Sequence, residues 1–256
     1  MGHNTLTAGF DEISATLLKA RATGRALPGP PAGLPSSLED AYRIQDQSLD
    51  AWNDRVAGWK VGGVPAAYAD RYADKFLAGP IFARSVLGVG HGGCVEMDIF
   101  DGGFAAIEPE FVFCLGETQE QDRMFIGAEI ASSPIPDINA YGPTAVISDF
   151  GNNNGLVVGP EITDWRSRDG AATVSATING VLVAERQLDD FRTSALEALY
   201  FLRRLVIQRG LTLDAGLYVS SGAVTGIHEA VAGAHAELSF GGFGAFEIIL
   251  ANAEKR

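Results

Sequence analysis

An α+β fold is predicted by three features of the sequence. Two segments with helical apolar spacing come first. Short β-like runs separated by glycine turns fill most of the remainder, and one long amphipathic helix interrupts them late in the chain. Helices and strands are thus segregated rather than alternating, which argues against a parallel sheet built from βα repeats. We divide the chain into an N-terminal helical segment, residues 1–57, and a β-rich body, residues 58–256, packed as one structural unit. The 256 residues are enough to bury a core without disulfide or metal staples.

The elements follow in order. Ile13, Leu17 and Leu18 repeat at helical spacing within a first helix over 6–21. LPGPPAGLPSS (27–37) cannot continue it, because proline removes the donor and fixes φ, so this stretch is an extended connector. Ser36 and Glu39 match a capping box. They open a second helix carrying Ala41, Tyr42, Ile44, Gln45, Leu49 and Trp52. From Val56 the texture becomes β-like. CVEMDI (94–99) and AAIEPEFVFCL (105–115) flank Asp101-Gly102-Gly103, a hairpin signal. Strands are expected at 145–149, 155–159, 173–178 and 181–184, the last two joined by Asn179-Gly180. A helix over 193–208 buries Leu196, Leu199, Leu202, Leu205 and Val206 and stops at Gly210. Strands at 216–220, 234–240 and 245–251 close the chain.

Composition excludes several functions. Asp plus Glu number 32 against 19 Lys plus Arg, a net charge of −13. Such a surface repels phosphate backbones and anionic membranes, so no nucleic acid and no membrane partner is expected. No apolar run approaches the roughly 18 residues of a membrane helix, and the N-terminus lacks the basic start and apolar run of a secretory signal. A soluble, cytoplasmic protein is the expectation. Cys94 and Cys114 cannot build a disulfide scaffold or a four-cysteine zinc site; they are read as two buried free thiols in a reducing compartment, with a single disulfide as the alternative. The acidic balance suits a chain that collects a divalent metal.

Some motifs carry nothing. GVGHGG (88–93) matches the dinucleotide fingerprint literally, but a β-like run follows where a helix is required. Ser220-Ser221-Gly222 is not a nucleophile elbow, because no glycine stands two residues before either serine. His3, His91, His228 and His235 show no zinc-type spacing. His3 is read as a frayed-end residue and the others as surface or turn residues.

Ile107-Glu108-Pro109-Glu110-Phe111 carries more. On a strand, residues two apart face the same side, with Cα atoms about 6.6 Å apart. Glu108 and Glu110 therefore project together, opposite Ile107, Phe111 and Phe113. Adjacent carboxylates persist in water or where a cation bridges them. A solvated strand face is the plain alternative. Against it, Val112 and Cys114 continue the same face, and Pro109 suggests an edge or bulge. Glu129 lies in the otherwise apolar run Ile126–Ala131, where a lone carboxylate is costly unless paired. Three carboxylates make a hard-oxygen site for Mg²⁺ or Mn²⁺. Lys60, among glycines and apolar residues, is either a substrate-binding amine or a lysine on an outer strand face.

Five motifs in order, GWKVG, IEPE, EIASSPIPD, DFGNNNGLVVG and SSGA, resemble the 2-keto-4-pentenoate hydratase group of the fumarylacetoacetate hydrolase superfamily. Relatives of that group include 2-oxohept-3-ene-1,7-dioate hydratase and 4-oxalocrotonate decarboxylase. The resemblance runs from about residue 38 to the C-terminus. It implies a mixed β-roll preceded by N-terminal helices, and a homo-oligomer. It implies a divalent metal, Mg or Mn, on Glu108, Glu110 and Glu129. Lys60 falls on the family's lysine near the substrate carboxylate, Ser221-Gly222 on its Ser/Thr-Gly beside the substrate, and Asp149 on the Asp of its Ala-Asp-Asn stretch. The implied activity is hydration of a 2-hydroxy-2,4-dienoate to a 4-hydroxy-2-oxo acid in aromatic catabolism. Decarboxylation or acylpyruvate hydrolysis of a related 2-oxo acid, or metal and small-acid binding without turnover, are the alternatives. No His-Glu dyad precedes Glu108, which favours a lyase over a hydrolase. The chain departs from the pattern in three places. The segment between Glu110 and Glu129 is short, Ser133-Pro134-Ile135 lacks the family's arginine, and Phe150–Asn154 replaces a serine-rich turn.

Overall fold

A computed structural model describes residues 2–253 of the chain, with side chains described from residue 9 onward. The elements, in chain order, are α1 (Gly2–Thr23), α2 (Leu38–Ala51), β1 (Val56–Gly63), β2 (Phe76–Phe82), β3 (Val86–Gly88), β4 (Cys94–Ile99), β5 (Phe104–Cys114), β6 (Arg123–Ser133), α3 (Pro143–Ser148), β7 (Asn153–Glu161), β8 (Ala172–Ile178), β9 (Val181–Leu188), α4 (Arg192–Gln208), β10 (Tyr218–Ser220), β11 (His228–Glu229), β12 (His235–Ser239) and β13 (Ala245–Asn252). The His3 side chain lies outside the described residues.

Two sheets organise the fold. The larger has the order β2-β1-β10-β5-β6-β7-β3, with β11 also paired to β5; the smaller has the order β4-β13-β12-β8-β9. The main core joins both sheets with α4, through Phe111, Phe113, Ile126, Phe240, Phe246 and Leu202. A second core tucks α1, α2 and α3 against β5 and β6, through Ile13, Leu17, Ile44, Phe104, Ala131 and Ile147.

The centre of the molecule is the β5–β6 hairpin. Its ladder runs unbroken from Phe104↔Ser133 to Cys114↔Arg123. Pro109 is tolerated there for a local reason. The other edge of β5 meets β11 at Ala106–Ile107 and β10 at Val112–Cys114, leaving a gap between them. The Pro109 carbonyl accepts from Val224 N at 2.8 Å on that edge. Amide and carbonyl of one strand residue face the same neighbour, so the missing donor falls in the gap and the β6 ladder is spared. The loop bridging β10 and β11 fills the gap.

Several sequence expectations need correcting. Residues 145–149 were expected as a strand, yet 143–148 form α3, with every residue buried. A helix buried on all sides shows no amphipathic period, so a short apolar run there looks like a strand; Pro143 in its first turn is the missed cue. The runs flanking Asp101-Gly102-Gly103 are not a hairpin. β4 pairs in parallel with β13 in the smaller sheet, and β5 pairs with β6 in the larger. The turn is a corner between sheets, and an added Cβ on Gly103 would lie 2.2 Å from the Ser133 carbonyl oxygen. The cap of α2 is Ser37, whose hydroxyl accepts from Asp40 N at 3.1 Å, one residue beyond the expected Ser36. Neither thiol is buried: Cys94 is exposed and Cys114 half-buried. By contrast, Asn179 and Gly180 both have positive φ, 51° and 77°, as a two-residue hairpin turn requires, and Gly210 ends α4 with φ 67°.

Candidate metal centre and adjoining cavity

The hairpin register assembles the carboxylates. Glu108 and Glu129 are direct cross-strand partners, and Glu110 stands two residues along on the same face. One oxygen of each lies within 4.8 Å of the others, and all three residues are buried. The stretch between Glu110 and Glu129 is the remainder of the β5–β6 hairpin, which folds the two strands back onto each other.

Sheet order supplies the lysine. β10 lies between β1 and β5, with Lys60 paired to Ser220 and Ser220 to Val112. Lys60 is only 4% exposed, which rules out the outer-face alternative. Its Nζ lies 3.3 Å from Glu129 Oε2 and donates to Asn152 Oδ1 at 3.3 Å. Ser220 Oγ donates to Glu110 Oε2, and Gly222 N donates to the same oxygen at 2.9 Å. Asn153 Nδ2 donates to Glu129 Oε1 at 3.0 Å. Among the described residues no donor bonds Glu110 Oε1, and Glu129 Oε2 has Lys60 Nζ as its ion-pair partner.

Three buried carboxylates face one ammonium. Burial, with Glu129 adding repulsion and Lys60 opposing it, pushes the Glu108 carboxyl up to about 8. Burial and the charges of Glu129 and Glu108 raise Glu110 well above its usual range. Burial disfavours the charged Lys60 amine, but Glu129, Glu108 and Glu110 together outweigh it and hold the ammonium above its ordinary pKa. Buried oxygens without donors and a hard, anionic donor set are what a divalent cation satisfies; the residues fit such an ion.

This charge arrangement has a testable sign. The folded, chelator-stripped protein keeps a proton on Glu108 between its ordinary 4.5 and about 8, where the unfolded chain has lost it. Stability then falls as pH rises through that window. Urea midpoints of stripped wild type and Glu108→Gln at pH 5, 7 and 8.5 check this. The wild type is expected to lose stability relative to the variant as pH rises; a constant difference contradicts it.

A cavity of about 240 Å³ opens beside the cluster, lined by Lys60, Glu108, Asn152, Leu77, Val146 and Ile227 among others. It is smaller than the roughly 300–1,000 Å³ of drug-sized sites, so it suits a small ligand, with Lys60 and Glu108 on its polar side and Leu77, Val146 and Ile227 on its apolar side.

Ser221 and Asp149 do not face this cavity. Ser221 Oγ donates to the Phe111 carbonyl at 2.6 Å, and it is Ser220 that reaches Glu110. Asp149 is held by Arg21, with Nε to Oδ1 at 2.6 Å and Nη2 to Oδ2 at 2.9 Å, and by Ser133 Oγ at 2.6 Å. Arg21 also donates from Nη1 to the Asn153 carbonyl at 2.9 Å. Its guanidinium lies 5.3 Å from the Phe100 ring centre and 5.1 Å from that of Phe150. The arginine missing from position 134 therefore does not leave Asp149 without a guanidinium; helix α1 supplies one. Sequence reasoning missed Arg21, Asn152, Asn153 and Ser220. Ser220 stood beside the serine that was chosen, Asn152 and Asn153 stood in the DFGNNNGLVVG motif without a role, and Arg21 left no signal.

No family model matches the chain, and no curated protein matches it. Solved structures do. The 4-oxalocrotonate decarboxylase from Pseudomonas putida G7, complexed with magnesium and adipate, is similar with a TM-score of 0.74, over 98% of this chain and 98% of its own, at 16% identity. The two chains share one fold. A fumarylpyruvate hydrolase from Pseudomonas aeruginosa, in complex with Mn²⁺ and pyruvate, is similar with a TM-score of 0.56, over 78% of this chain and 91% of its own, at 16% identity. The fumarylacetoacetate hydrolase of Exiguobacterium antarcticum gives 0.53 over 79% and 77%, also at 16%. The 98% coverage by the decarboxylase takes in the N-terminal helices.

Proposed function

We propose that the protein is a metal-dependent lyase acting on a small 2-oxo acid or its 2-hydroxydienoate, with hydration of a 2-hydroxy-2,4-dienoate as the leading reaction. The observation that carries this is the convergence of Glu108, Glu110 and Glu129 with Lys60 beside a cavity sized for such an acid. Glu108, Glu110 and Glu129 would hold Mg²⁺ or Mn²⁺. When bound, such an ion supplies Lewis-acid polarisation of a 2-oxo group and stabilises enolate charge.

The remaining roles belong to this chain's own side chains. Lys60, kept charged by the glutamates and aimed by Asn152, binds the substrate carboxylate. Ser220 and Gly222 fix the orientation of Glu110, and Asn153 that of Glu129. Ser221 anchors the loop between β10 and β11 through the Phe111 carbonyl. Asp149 acts at a distance, through Arg21 and Asn153. Leu77, Val146 and Ile227 exclude bulk water from the apolar part of the substrate. Ketonisation of the dienoate places a proton on its terminal carbon, and water then adds at the conjugated carbon beside it. In this reading residues 58–256 form the catalytic body and residues 1–57 brace it through Arg21. The protein works as a cytoplasmic homo-oligomer. No helix among the described residues is long and apolar enough to cross a membrane.

A second reading, decarboxylation of a 2-oxo diacid, is favoured by the full-length likeness to a decarboxylase. Incubating the Mn²⁺-loaded protein separately with 2-hydroxypenta-2,4-dienoate and with 4-oxalocrotonate distinguishes the two. Loss of dienoate absorbance supports hydration, and release of CO₂ supports decarboxylation. Turnover of either should fall sharply in Lys60→Ala, mainly through KM if Lys60 binds the carboxylate. Mn²⁺ binding that oxalate does not strengthen, with neither substrate consumed, would remove both readings.

A further inference from the structure

A second convergence of donor groups lies on the outer face of the smaller sheet, on β4, β13 and β12, which are adjacent in that order. Cys94 pairs directly with Glu247, and His235 pairs with Ile249, two residues from Glu247 and therefore on the same face. Burial agrees: Phe246, Ile248 and Leu250 point into the core, whereas Cys94, Glu247 and His235 are exposed or half-buried. The Cys94 sulfur, a ring nitrogen of His235 and a carboxylate oxygen of Glu247 all lie within 4.8 Å of one another. His235 Nε2 and Glu247 Oε2 are 2.8 Å apart.

The donors differ in kind from the three-glutamate cluster. One sulfur, one imidazole nitrogen and one carboxylate oxygen form the mixed set that prefers Zn²⁺ over Mg²⁺ or Ca²⁺. Each comes from a different strand, so ladder hydrogen bonds fix their spacing before any ion arrives. Glu237 pairs with Glu247 on the same face, and Glu96 stands two residues from Cys94; their exposed carboxylates add a local field that attracts cations. Chain positions 94, 235 and 247 are too far apart for a spacing motif, which is why the sequence showed none.

We propose that Cys94 Sγ, His235 Nε2 and Glu247 form a Zn²⁺ site, with water completing the coordination, that clips β4 to β12 across β13. Binding releases the Cys94 thiol proton to solvent and uses the neutral imidazole with its proton on Nδ1. This site is separate from the proposed catalytic cavity and independent of the reading given to it.

Co²⁺ is the probe, added to the full chain with excess Mg²⁺ present to occupy the glutamate cluster. The expected result is a near-ultraviolet thiolate-to-cobalt charge-transfer band that saturates at one Co²⁺ per chain and is displaced by Zn²⁺. Cys94→Ser should abolish the band, whereas Cys114→Ser and Glu110→Gln should keep it. His235→Ala and Glu247→Ala should each weaken binding about tenfold or more, at least the cost of losing a supporting partner. Cys94, His235 and Glu247 are solvent-accessible, and circular dichroism verifies that each variant folds. Absence of the band, its survival in Cys94→Ser, or undiminished affinity in both His235→Ala and Glu247→Ala overturns the proposal.

Discussion

Glu110→Gln is expected to abolish the metal response while leaving the chelator-stripped fold as stable as wild type, or more so. Glu110 is fully buried, its carboxyl is pushed well above the normal range, and Oε1 has no hydrogen-bond donor among the described residues. A glutamine amide oxygen can still accept from Ser220 and Gly222, which serve Oε2 in the wild type. The substitution replaces a carboxyl that burial already holds back from ionising and keeps its hydrogen bonds, so the stripped fold loses little by it. The same change takes an anionic oxygen from the candidate metal centre. Mn²⁺ should then raise the thermal midpoint of wild type, since a ligand bound only by the native state stabilises it by mass action, and oxalate should enlarge that shift. In Glu110→Gln both effects should vanish. Turnover should fall by about 10²–10⁴-fold in kcat, the range set by the several kcal/mol that Lewis-acid polarisation contributes. A variant less stable than wild type when stripped, yet still responsive to Mn²⁺, would show that Glu110 serves the fold and not a metal.

Arg21→Ala should have the opposite character, costing about 3–5 kcal/mol of stability, as breaking a buried ion pair does. The substitution leaves Asp149, which is 1% exposed, with Ser133 Oγ as its remaining side-chain donor. It also frees the Asn153 carbonyl and empties the space between Phe100 and Phe150. Urea unfolding at constant slope measures the loss. Arg21→Met/Asp149→Leu should cost clearly less than the sum of the single changes, because removing both charges strands neither. Arg21→Lys should recover only part of the stability, since an ammonium cannot reproduce the two-pronged contact to Asp149. Asn153 links this pair to Glu129, so Mn²⁺ affinity in Arg21→Lys is expected to fall about 10–100-fold, as for other groups that orient a ligand. Additive single and double effects, or unchanged Mn²⁺ affinity, would make Arg21 a packing residue without influence on the site.

The chemistry available, and the strand and helix faces that carry it, were legible from the residues alone. Alternation along β5 put Glu108 and Glu110 on one side and Phe111 and Phe113 on the other, because a strand has a period of two whatever surrounds it. The amphipathic spacing of α4 and the Asn179-Gly180 turn were legible for the same local reason. A lone glutamate in the apolar run of β6 marked Glu129 as a residue needing a partner. The identity of that partner came from the packing of the strands. The β5–β6 register set Glu129 opposite Glu108, the insertion of β10 between β1 and β5 turned Lys60 inward, and a left-handed turn brought Asn152 to it. Packing also moved Asp149 from the cavity to a buried pair with Arg21, and lifted Cys94, His235 and Glu247 onto one exposed face. Most of these contacts join residues distant in the chain, such as Arg21 with Asp149 and Lys60 with Ser220. No local propensity encodes them, because cross-strand register and sheet order follow from burying the whole core at once.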